Sequence, residues 1–194
     1  MRGYGFTAAD GRGTHDGVRW PLPTASGPGD WATAPPPSPL RGRVRGLGVA
    51  DLPFHLDDAM WVVELDGDVR REQRLSSATR GRLVTRVAAW DEACATDYAH
   101  GCELRARAFA DPGGADGELM GGYLDDLHRC VTAGLPPVTA AGAAGYIAAR
   151  VAAIAAGPGA HPDGAAAERA AQARWLADRL GLADDPGPGA AEPV

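Results

Sequence analysis

Residues 60–109 decide the fold class of this chain, and they read MWVVELDGDVRREQRLSSATRGRLVTRVAAWDEACATDYAHGCELRARAF. Trp61, Val63 and Leu65 alternate with residues that point the other way, which is the period-two pattern of a strand with one buried face. Asp66-Gly67 follows directly, and both residue types tolerate the positive φ angles of a type I′ turn. The sequence therefore predicts a β-hairpin at this point.

The second half of the same stretch changes to a helical period. A further short strand is predicted at 83–87, and Asp91 can cap the helix that follows. The apolar stripe of this helix consists of Cys94, Ala95, Tyr98, Cys102, Ala106 and Phe109. Because a strand face and a helix stripe each need an apolar partner, we expect the Trp61, Val63 and Leu65 face to share one core with Tyr98, Cys102 and Phe109.

Turn formers and helical periods divide the chain. Residues 1–16 are predicted to be a flexible N-terminus, and residues 183–194 a disordered tail. Between them we expect a single α+β domain, loop- and β-rich over 17–90 and helical over 91–182. Its fold is predicted to be a small antiparallel sheet with a loop-rich N-terminal region, packed against C-terminal helices.

Tryptophans and a last apolar stripe add detail to this prediction. Trp20 and Trp31 stand among glycines and prolines, which indicates loops pinned onto a core by their indole rings. A last helix is predicted from Asp163 to Leu182, and we expect it to dock through Trp175 and the leucines near its end.

The composition excludes several classes of enzyme. The chain has 194 residues and 19 Lys plus Arg, all of which are arginine, and it contains no asparagine. The missing ammonium group excludes Schiff-base enzymes, Walker P-loops and protein kinases. The missing asparagine excludes N-glycosylation and the Cys/His/Asn type of protease. No HExxH, GxSxG, CxxC or GxxxxGK[ST] motif occurs, and we expect no cofactor.

The charge of the chain limits the kinds of partner it can bind, and its cysteine usage indicates its cellular compartment. The net charge is +2 over residues 1–90 and −8 over residues 91–194, and this acidic balance argues against general nucleic-acid binding. Three cysteines, with no apolar targeting segment at the N-terminus, predict a cytoplasmic protein. No charge-free apolar run reaches the length of about 18 residues that a membrane span needs.

The arginines of the β-rich half form the main candidate site. On paired strands they could converge into an anion-binding surface, because guanidinium groups bind phosphate or carboxylate in a bidentate way. The predicted members are Arg80, Arg82, Arg86, Arg70 and Arg43, with Arg41, Arg45, Arg71 and Arg74 nearby. The alternative is a solvated sheet face on which Glu64, Asp66, Asp68 and Glu72 balance the arginines.

Clustered carboxylates and a cysteine pair could suggest metal sites, but the spacing of these residues argues against both. Asp57, Asp58, Glu64, Asp66 and Asp68 could attract a divalent cation, yet their spacing fits no EF-hand. Cys94, His100 and Cys102 are near in sequence. However, helix geometry turns His100 away from Cys102 and separates the cysteines by about 12 Å, so they cannot share one zinc ion.

One further pair could be catalytic. Asp125 and His128 lie three residues apart on a predicted helix, a spacing at which a carboxylate could orient an imidazole. Cys130, the nearby nucleophile, is two residues further on and faces elsewhere. The alternative interpretation is that these are ordinary surface residues.

Several short motifs spread over residues 17–182 carry a resemblance. They are GVRWPLP at 17–23, DLP at 51–53 with Leu56, WVVELDG at 61–67, GRLV at 81–84 with RV and WD shortly after, and AERAAQARWL at 167–176. In these motifs the chain resembles a family of uncharacterised actinobacterial proteins of unknown function. The resemblance implies a grouping but no activity. Members of that family carry a Cys-, Gly- and His-containing motif before the DLP element, where this chain has RGRVRGL at 41–47, so a thiol–imidazole site is not implied here.

Two functions are consistent with these patterns. The leading hypothesis is a non-catalytic cytoplasmic domain that binds an unknown protein partner or a small anionic ligand, with no membrane association. The alternative is an enzyme that acts on a nucleotide-like anionic substrate through arginine and Glu64. A concave pocket lined by Glu64 and the arginines would favour the enzyme, and an open sheet face would favour the binding domain.

Overall fold

The computed structural model describes residues 1–13, 18–33, 44–71, 75–110, 114 and 116–182. Within them the strands are β1 (Arg2–Thr7), β2 (Val44–Leu47), β3 (Ala59–Asp66), β4 (Arg70–Arg71), β5 (Leu75–Ala78) and β6 (Arg80–Arg86). The helices are α1 (Glu92–Phe109), α2 (Gly117–Thr132), α3 (Pro137–Ala155) and α4 (His161–Leu180), and a short 3₁₀ helix covers Val49–Phe54. The predicted α+β class is confirmed.

Two compact units make up the chain. The first, called the sheet unit here, comprises Met1–Leu52, Asp57–Trp90 and the segment that starts at Leu180. The second, called the helical unit, comprises Pro53–Leu56 and Asp91–Arg179. The change from one unit to the other at Trp90 and Asp91 coincides with the predicted change from a β-rich to a helical part.

The sheet is antiparallel, with the strand order β4-β5-β2-β1-β3-β6. Strand β3 pairs with β6, and Asp66 lies opposite Arg80, so the predicted two-residue hairpin after β3 is wrong. Gly67 does have the positive φ of 82° that a turn at this point requires. The partner of β3 is β6 because Leu83 of β6 lies opposite Val63, whereas a two-residue hairpin would have placed the charged residues Asp68 and Arg70 opposite Leu65 and Val63.

Strand β1 corrects the prediction of a flexible N-terminus. Residues Arg2–Thr7 pair with β2 on one side and with β3 on the other, which places them inside the sheet. Gly5 is part of the reason, since a Cβ atom there would lie 2.8 Å from Cγ2 of Val63. Gly5 therefore makes room for the Val63 side chain of β3, whereas Gly3 makes room for the backbone of Leu47 in β2, where a Cβ atom would lie 3.1 Å from the carbonyl oxygen.

The core of the sheet unit lies on the odd-numbered face of β3. Trp61 donates a hydrogen bond from Nε1 to Oγ1 of Thr7 at 3.0 Å, so its polar atom is satisfied inside the core. The cluster consists of Val18, Trp20, Ala32, Val44, Ala59, Trp61, Val63, Leu65, Ala78 and Leu83. Burial of Trp20 confirms that this tryptophan pins its loop onto the core.

Helices α1, α2 and α3 pack against one another in the helical unit. The predicted cap of α1 is confirmed, because the Asp91 side chain accepts a hydrogen bond from the backbone N–H of Cys94 at 2.8 Å. In the described part of the chain, α3 alone is long and apolar enough to cross a membrane. However, 56% of its most apolar stretch is buried, which is the pattern of a core helix in a soluble protein.

The prediction of one shared core needs correction. Tyr98 and Cys102 are buried, but they belong to the helical unit, and the cluster around Trp61 contains residues of the sheet unit. Phe109 is 44% exposed, so its place in a core is wrong. It lies in the last turn of α1, beyond Ala106, which is the last buried residue of that helix.

Candidate functional site

Two arginines of β6 form ion pairs with carboxylates of β3. Arg82 lies opposite Glu64 and donates from Nε to its Oε2 at 2.7 Å, while Nη2 forms an ion-pair contact with the same oxygen at 2.6 Å. Arg80 lies opposite Asp66 and donates to its Oδ2 from Nε at 2.9 Å, with Nη2 in contact with the same oxygen. Directly opposed residues of antiparallel strands project from the same face, so these four side chains form one row of charge.

Trp31 completes this row from the edge of the sheet. Its neighbour Ala32 exchanges two backbone hydrogen bonds with Gly81, at 2.7 and 3.0 Å, which fixes the segment against the outer edge of β6. The guanidinium carbon of Arg80 lies 4.8 Å from the centroid of the Trp31 ring, and that of Arg82 lies 4.6 Å away. These distances are within the range of cation–π attraction.

We call Trp31, Glu64, Asp66, Arg80 and Arg82 the arginine–tryptophan surface. Its ion pairs are accessible, since the Arg80 and Arg82 side chains are 50% and 32% exposed. The pKa of Asp66 is held below its ordinary value by the hydrogen bond from the Gly67 backbone N–H and then by Arg80. The Nη1 groups of both arginines form no hydrogen bond with any described residue, so they remain available to a ligand.

Arg86 lies on the opposite face of the sheet. The register shifts between Val62 and Val63, so that Arg82 is opposite Glu64 whereas Arg86 is opposite Trp61. A regular strand would have put Arg82 and Arg86 on the same face, because side chains repeat with a period of two, but a β-bulge inserts one residue and breaks that repeat. The structure therefore does not bring Arg86 to the arginine–tryptophan surface.

The structure does not place the remaining predicted arginines on the arginine–tryptophan surface either. Arg70 is on β4, at the far edge of the sheet from β6, and it pairs with Asp68 through contacts of 3.0 and 3.1 Å. Arg43, Arg41 and Arg74 lie outside the described residues. The five predicted site residues thus include two, Arg80 and Arg82, that the structure places side by side.

The alternative metal and nucleophile sites do not form in the described residues. No group of three or more His, Cys, Asp or Glu side chains among them could hold a metal ion. Burial raises the pKa of the Cys94 thiol and raises that of Cys102 to about 12, so both thiols are protonated at neutral pH. His100 is exposed, and its Nδ1 lies 3.1 Å from the carbonyl oxygen of Thr96.

His128 has a different partner from the one that spacing suggested. Its Nδ1 lies 3.0 Å from Oε1 of Glu103 on α1, which also accepts from Nη2 of Arg107 at 2.6 Å. Burial of Glu103 opposes its ionisation, but its hydrogen bonds with Arg107 and His128 outweigh this effect and lower its pKa. Asp125 is exposed, and the proposed Asp125–His128 pair is therefore not present.

Sequence reasoning missed a buried polar network in the helical unit. Glu168 on α4 is 1% exposed and accepts two hydrogen bonds from Nε of Arg105, at 3.0 and 3.2 Å. Gln172, which is fully buried, donates from Nε2 to Glu168 Oε1 at 2.8 Å and to the carbonyl oxygen of Gly145 at 3.0 Å. This network joins side chains of α1 and α4 to the backbone of α3.

Further donors complete the network around Gln172. Its Oε1 accepts from the Tyr98 hydroxyl at 2.9 Å and from Nη1 of Arg169 at 2.9 Å. Arg169 also donates to the carbonyl oxygen of Pro53 at 3.0 Å, and its guanidinium lies 4.7 Å from the Phe54 ring centroid. Because both polar ends of Gln172 are satisfied by protein groups, we assign the network to helix packing and not to ligand binding.

The signal for this network was present in the sequence. Glu168 and Gln172 are separated by four residues, which puts them on one helix face, and both belong to the AERAAQARWL motif. Leu176 continues that face and is fully buried, so the polar pair occupies core positions. Glu168 and Gln172 can thus be recognised in the sequence as polar residues that share a helix face with apolar residues.

No model of a known protein family, no curated protein and no solved structure matches this chain. The resemblance to uncharacterised actinobacterial proteins therefore stays a prediction.

Proposed function

We propose that this protein is a non-catalytic binding domain that holds an anionic ligand or the anionic group of a partner on its arginine–tryptophan surface. The observation that carries the proposal is the placement of two guanidinium groups within 4.8 and 4.6 Å of one indole ring centroid. Each guanidinium has one edge held by a carboxylate, while its Nη1 group has no partner among the described residues.

This arrangement supports binding because it reduces the entropy that arginine loses in a complex. A free arginine side chain carries about 2 kcal/mol of rotamer entropy. In Arg80 and Arg82 part of this entropy is already lost, since a carboxylate and the Trp31 ring hold each side chain in place. Preorganised donors bind more tightly than mobile ones with the same contacts.

The local charge balance also supports an anion. Arg2 on β1 lies opposite Glu64, so Glu64 stands between Arg2 and Arg82 in one row across three strands. Three arginines then face two carboxylates, Glu64 and Asp66. The small positive excess predicts a moderate affinity that falls as salt rises, because exposed charges are screened within about 10 Å at 0.1 M salt.

A binding role is favoured over the enzymatic alternative by the state of Glu64. Its Oε2 accepts two contacts from Arg82, and the pair lies on a partly exposed sheet face. Such a carboxylate is engaged in holding an arginine and is less suited to act on a substrate. A cytoplasmic location is part of the proposal, and the three free cysteines fit a reducing compartment.

The proposal is tested by titrating the native chain with ATP, pyrophosphate and a short oligonucleotide at low and raised salt. We expect binding that weakens with salt, and a loss of about tenfold or more in the double variant Arg80→Ala, Arg82→Ala, since charged hydrogen bonds are worth about 1.5–3 kcal/mol each.

Two matched controls sharpen this test. Arg86→Ala removes an arginine from the same strand but from the opposite face, and should bind like the native chain. The double variant Arg129→Ala, Arg179→Ala removes two exposed, ion-paired arginines of the helical unit and should also bind normally. No binding of any probe by the native chain, or equal binding by the native chain and the Arg80/Arg82 variant, would refute the proposal.

A further inference from the structure

Arg45 on β2 carries an unexplained polar atom. Its side chain is partly buried, and its Nε is buried without a hydrogen-bond partner. Among the described residues this is the only buried side-chain nitrogen or oxygen in that state. No ion pair of the described residues includes Arg45. A buried donor of a charged group without a partner is costly, and such a group in a native structure needs an explanation.

The strand register places a second arginine near Arg45. Arg45 lies opposite Ser77 on β5, and Ser77 lies opposite Arg70 on β4. These three residues therefore project from the same face in one row across neighbouring strands. The Arg45 and Arg70 backbones are two strand spacings apart, about 10 Å, which is within the combined reach of two arginine side chains.

Arg70 is able to exchange its present partner for a ligand. Its ion pair with Asp68 is exposed, with side-chain exposures of 66% and 54%. An exposed pair of this kind contributes little to stability, so a doubly charged anion can compete with Asp68 for the guanidinium. Arg45, in contrast, has no carboxylate to give up among the described residues.

We propose that Arg45 and Arg70 together bind an oxyanion of the phosphate type on this row of the sheet. The ligand class follows from the donors, because two guanidinium groups on one row of the sheet can together supply donors for the several acceptor oxygens of a phosphate group. This inference rests on the proposed function in one respect, which is that the ligand of this protein is an anion. Its location is different, since β2, β5 and β4 occupy the opposite end of the sheet from β6 and Trp31.

Thermal unfolding of the full chain in sodium phosphate, against sodium chloride at equal ionic strength, tests this site. Phosphate should raise the Tm of the native protein, because a ligand that binds the folded state stabilises it. Arg45→Met keeps the apolar stem and removes the guanidinium, so it should reduce the phosphate response to the part that the arginine–tryptophan surface supplies, and it should not lower the Tm in chloride. Arg12→Met, an exposed arginine of the same unit, is the control and should keep the response.

A second variant keeps the test decisive if Arg45→Met does not fold. Arg70→Met alters an exposed position and should weaken the phosphate response while leaving the Tm in chloride unchanged. A native protein without a phosphate response would overturn the inference, as would equal responses in the native, Arg45→Met and Arg70→Met proteins. If the response is lost in the Arg80/Arg82 variant and kept in these two, the proposed function stands and the Arg45 site does not exist.

Discussion

Two arginine–carboxylate pairs in this molecule have the same chemistry and opposite surroundings. In the helical unit, Arg105 pairs with a Glu168 side chain that has no exposed surface, and Gln172 completes the carboxylate's hydrogen bonds. In the sheet unit, Arg82 pairs with a Glu64 side chain that is 28% exposed, and Trp31 lies beside the guanidinium. The two arginines are similarly exposed, at 26% and 32%, so the difference is that the first carboxylate is enclosed by protein and the second is partly open to solvent.

This difference separates a structural role from a binding role. Removing one partner of a buried pair leaves the other charged and without water, whereas an exposed pair is replaced by hydration at little cost. The buried network therefore stabilises the helical unit, because the polar groups of Glu168 and Gln172 are satisfied by protein donors and acceptors. The exposed surface contributes little stability and keeps donors available, which is why we assign binding to it.

The largest effect is expected from Glu168→Ala. This change leaves Arg105 without its carboxylate and removes one of the two acceptors of Gln172 Nε2. It should lower the free energy of unfolding by about 3 kcal/mol, toward the low end for a broken buried pair because Arg105 can be partly hydrated. Urea denaturation monitored by circular dichroism measures the change. Glu168→Gln, which keeps the shape and loses the charge, should cost less. If Glu168→Ala lowered the free energy of unfolding by less than a typical surface substitution does, the two pairs would not differ in their contribution to stability.

A much smaller effect is expected from Glu64→Ala. Its pair with Arg82 lies on a partly exposed face, so its removal should change the free energy of unfolding by less than about 1 kcal/mol. The same denaturation experiment gives the value, and Asp66→Ala serves as a parallel measurement on the neighbouring pair. A cost comparable to that of Glu168→Ala would show that the sheet pairs are structural, and would weaken the proposed function.

The smallest effect is expected from the pH dependence of stability that Glu103 causes. Its side chain is 12% exposed, which is between the exposures of the Glu168 and Glu64 side chains. Its pKa in the folded protein is lowered from the ordinary value of 4.5. The stabilisation is therefore present above about pH 4.5 and is lost as the pH falls through the folded-state pKa. The stability difference between native and Glu103→Gln proteins should be positive at pH 7 and should shrink at acidic pH. A stability difference between the two proteins that grows at acidic pH would contradict the lowered pKa of Glu103.

Local patterns predicted much of the fold. The alternation at Trp61, Val63 and Leu65 identified β3, and Asp91 identified the start of α1, because both signals depend on neighbouring residues only. Strand β1 was missed, since Gly3 and Gly5 look like flexible chain in isolation. Their role becomes visible only when Val63 is known to lie close to Gly5 and the Leu47 backbone close to Gly3.

The candidate site was predictable in composition but not in arrangement. The excess of arginine in the β-rich half indicated Arg80 and Arg82, which do lie together. A single bulge moved Arg86 to the other face, and the pairing partner of β3 could not be deduced from the turn at Gly67. Trp31 entered the surface through backbone hydrogen bonds to β6, a contact between residues about fifty positions apart.

The sequence by itself determined the α+β class, the exclusion of lysine-dependent chemistry and the position of the first helix. These follow from residue type and short-range periodicity, which any chain expresses locally. Only the tertiary structure decided which arginines share a face, which carboxylates hold them, and that Glu168 and Gln172 are buried in a hydrogen-bonded network. The physical reason is that strand pairing and helix packing join distant residues, and a shift of one residue in register reverses the face that a side chain occupies.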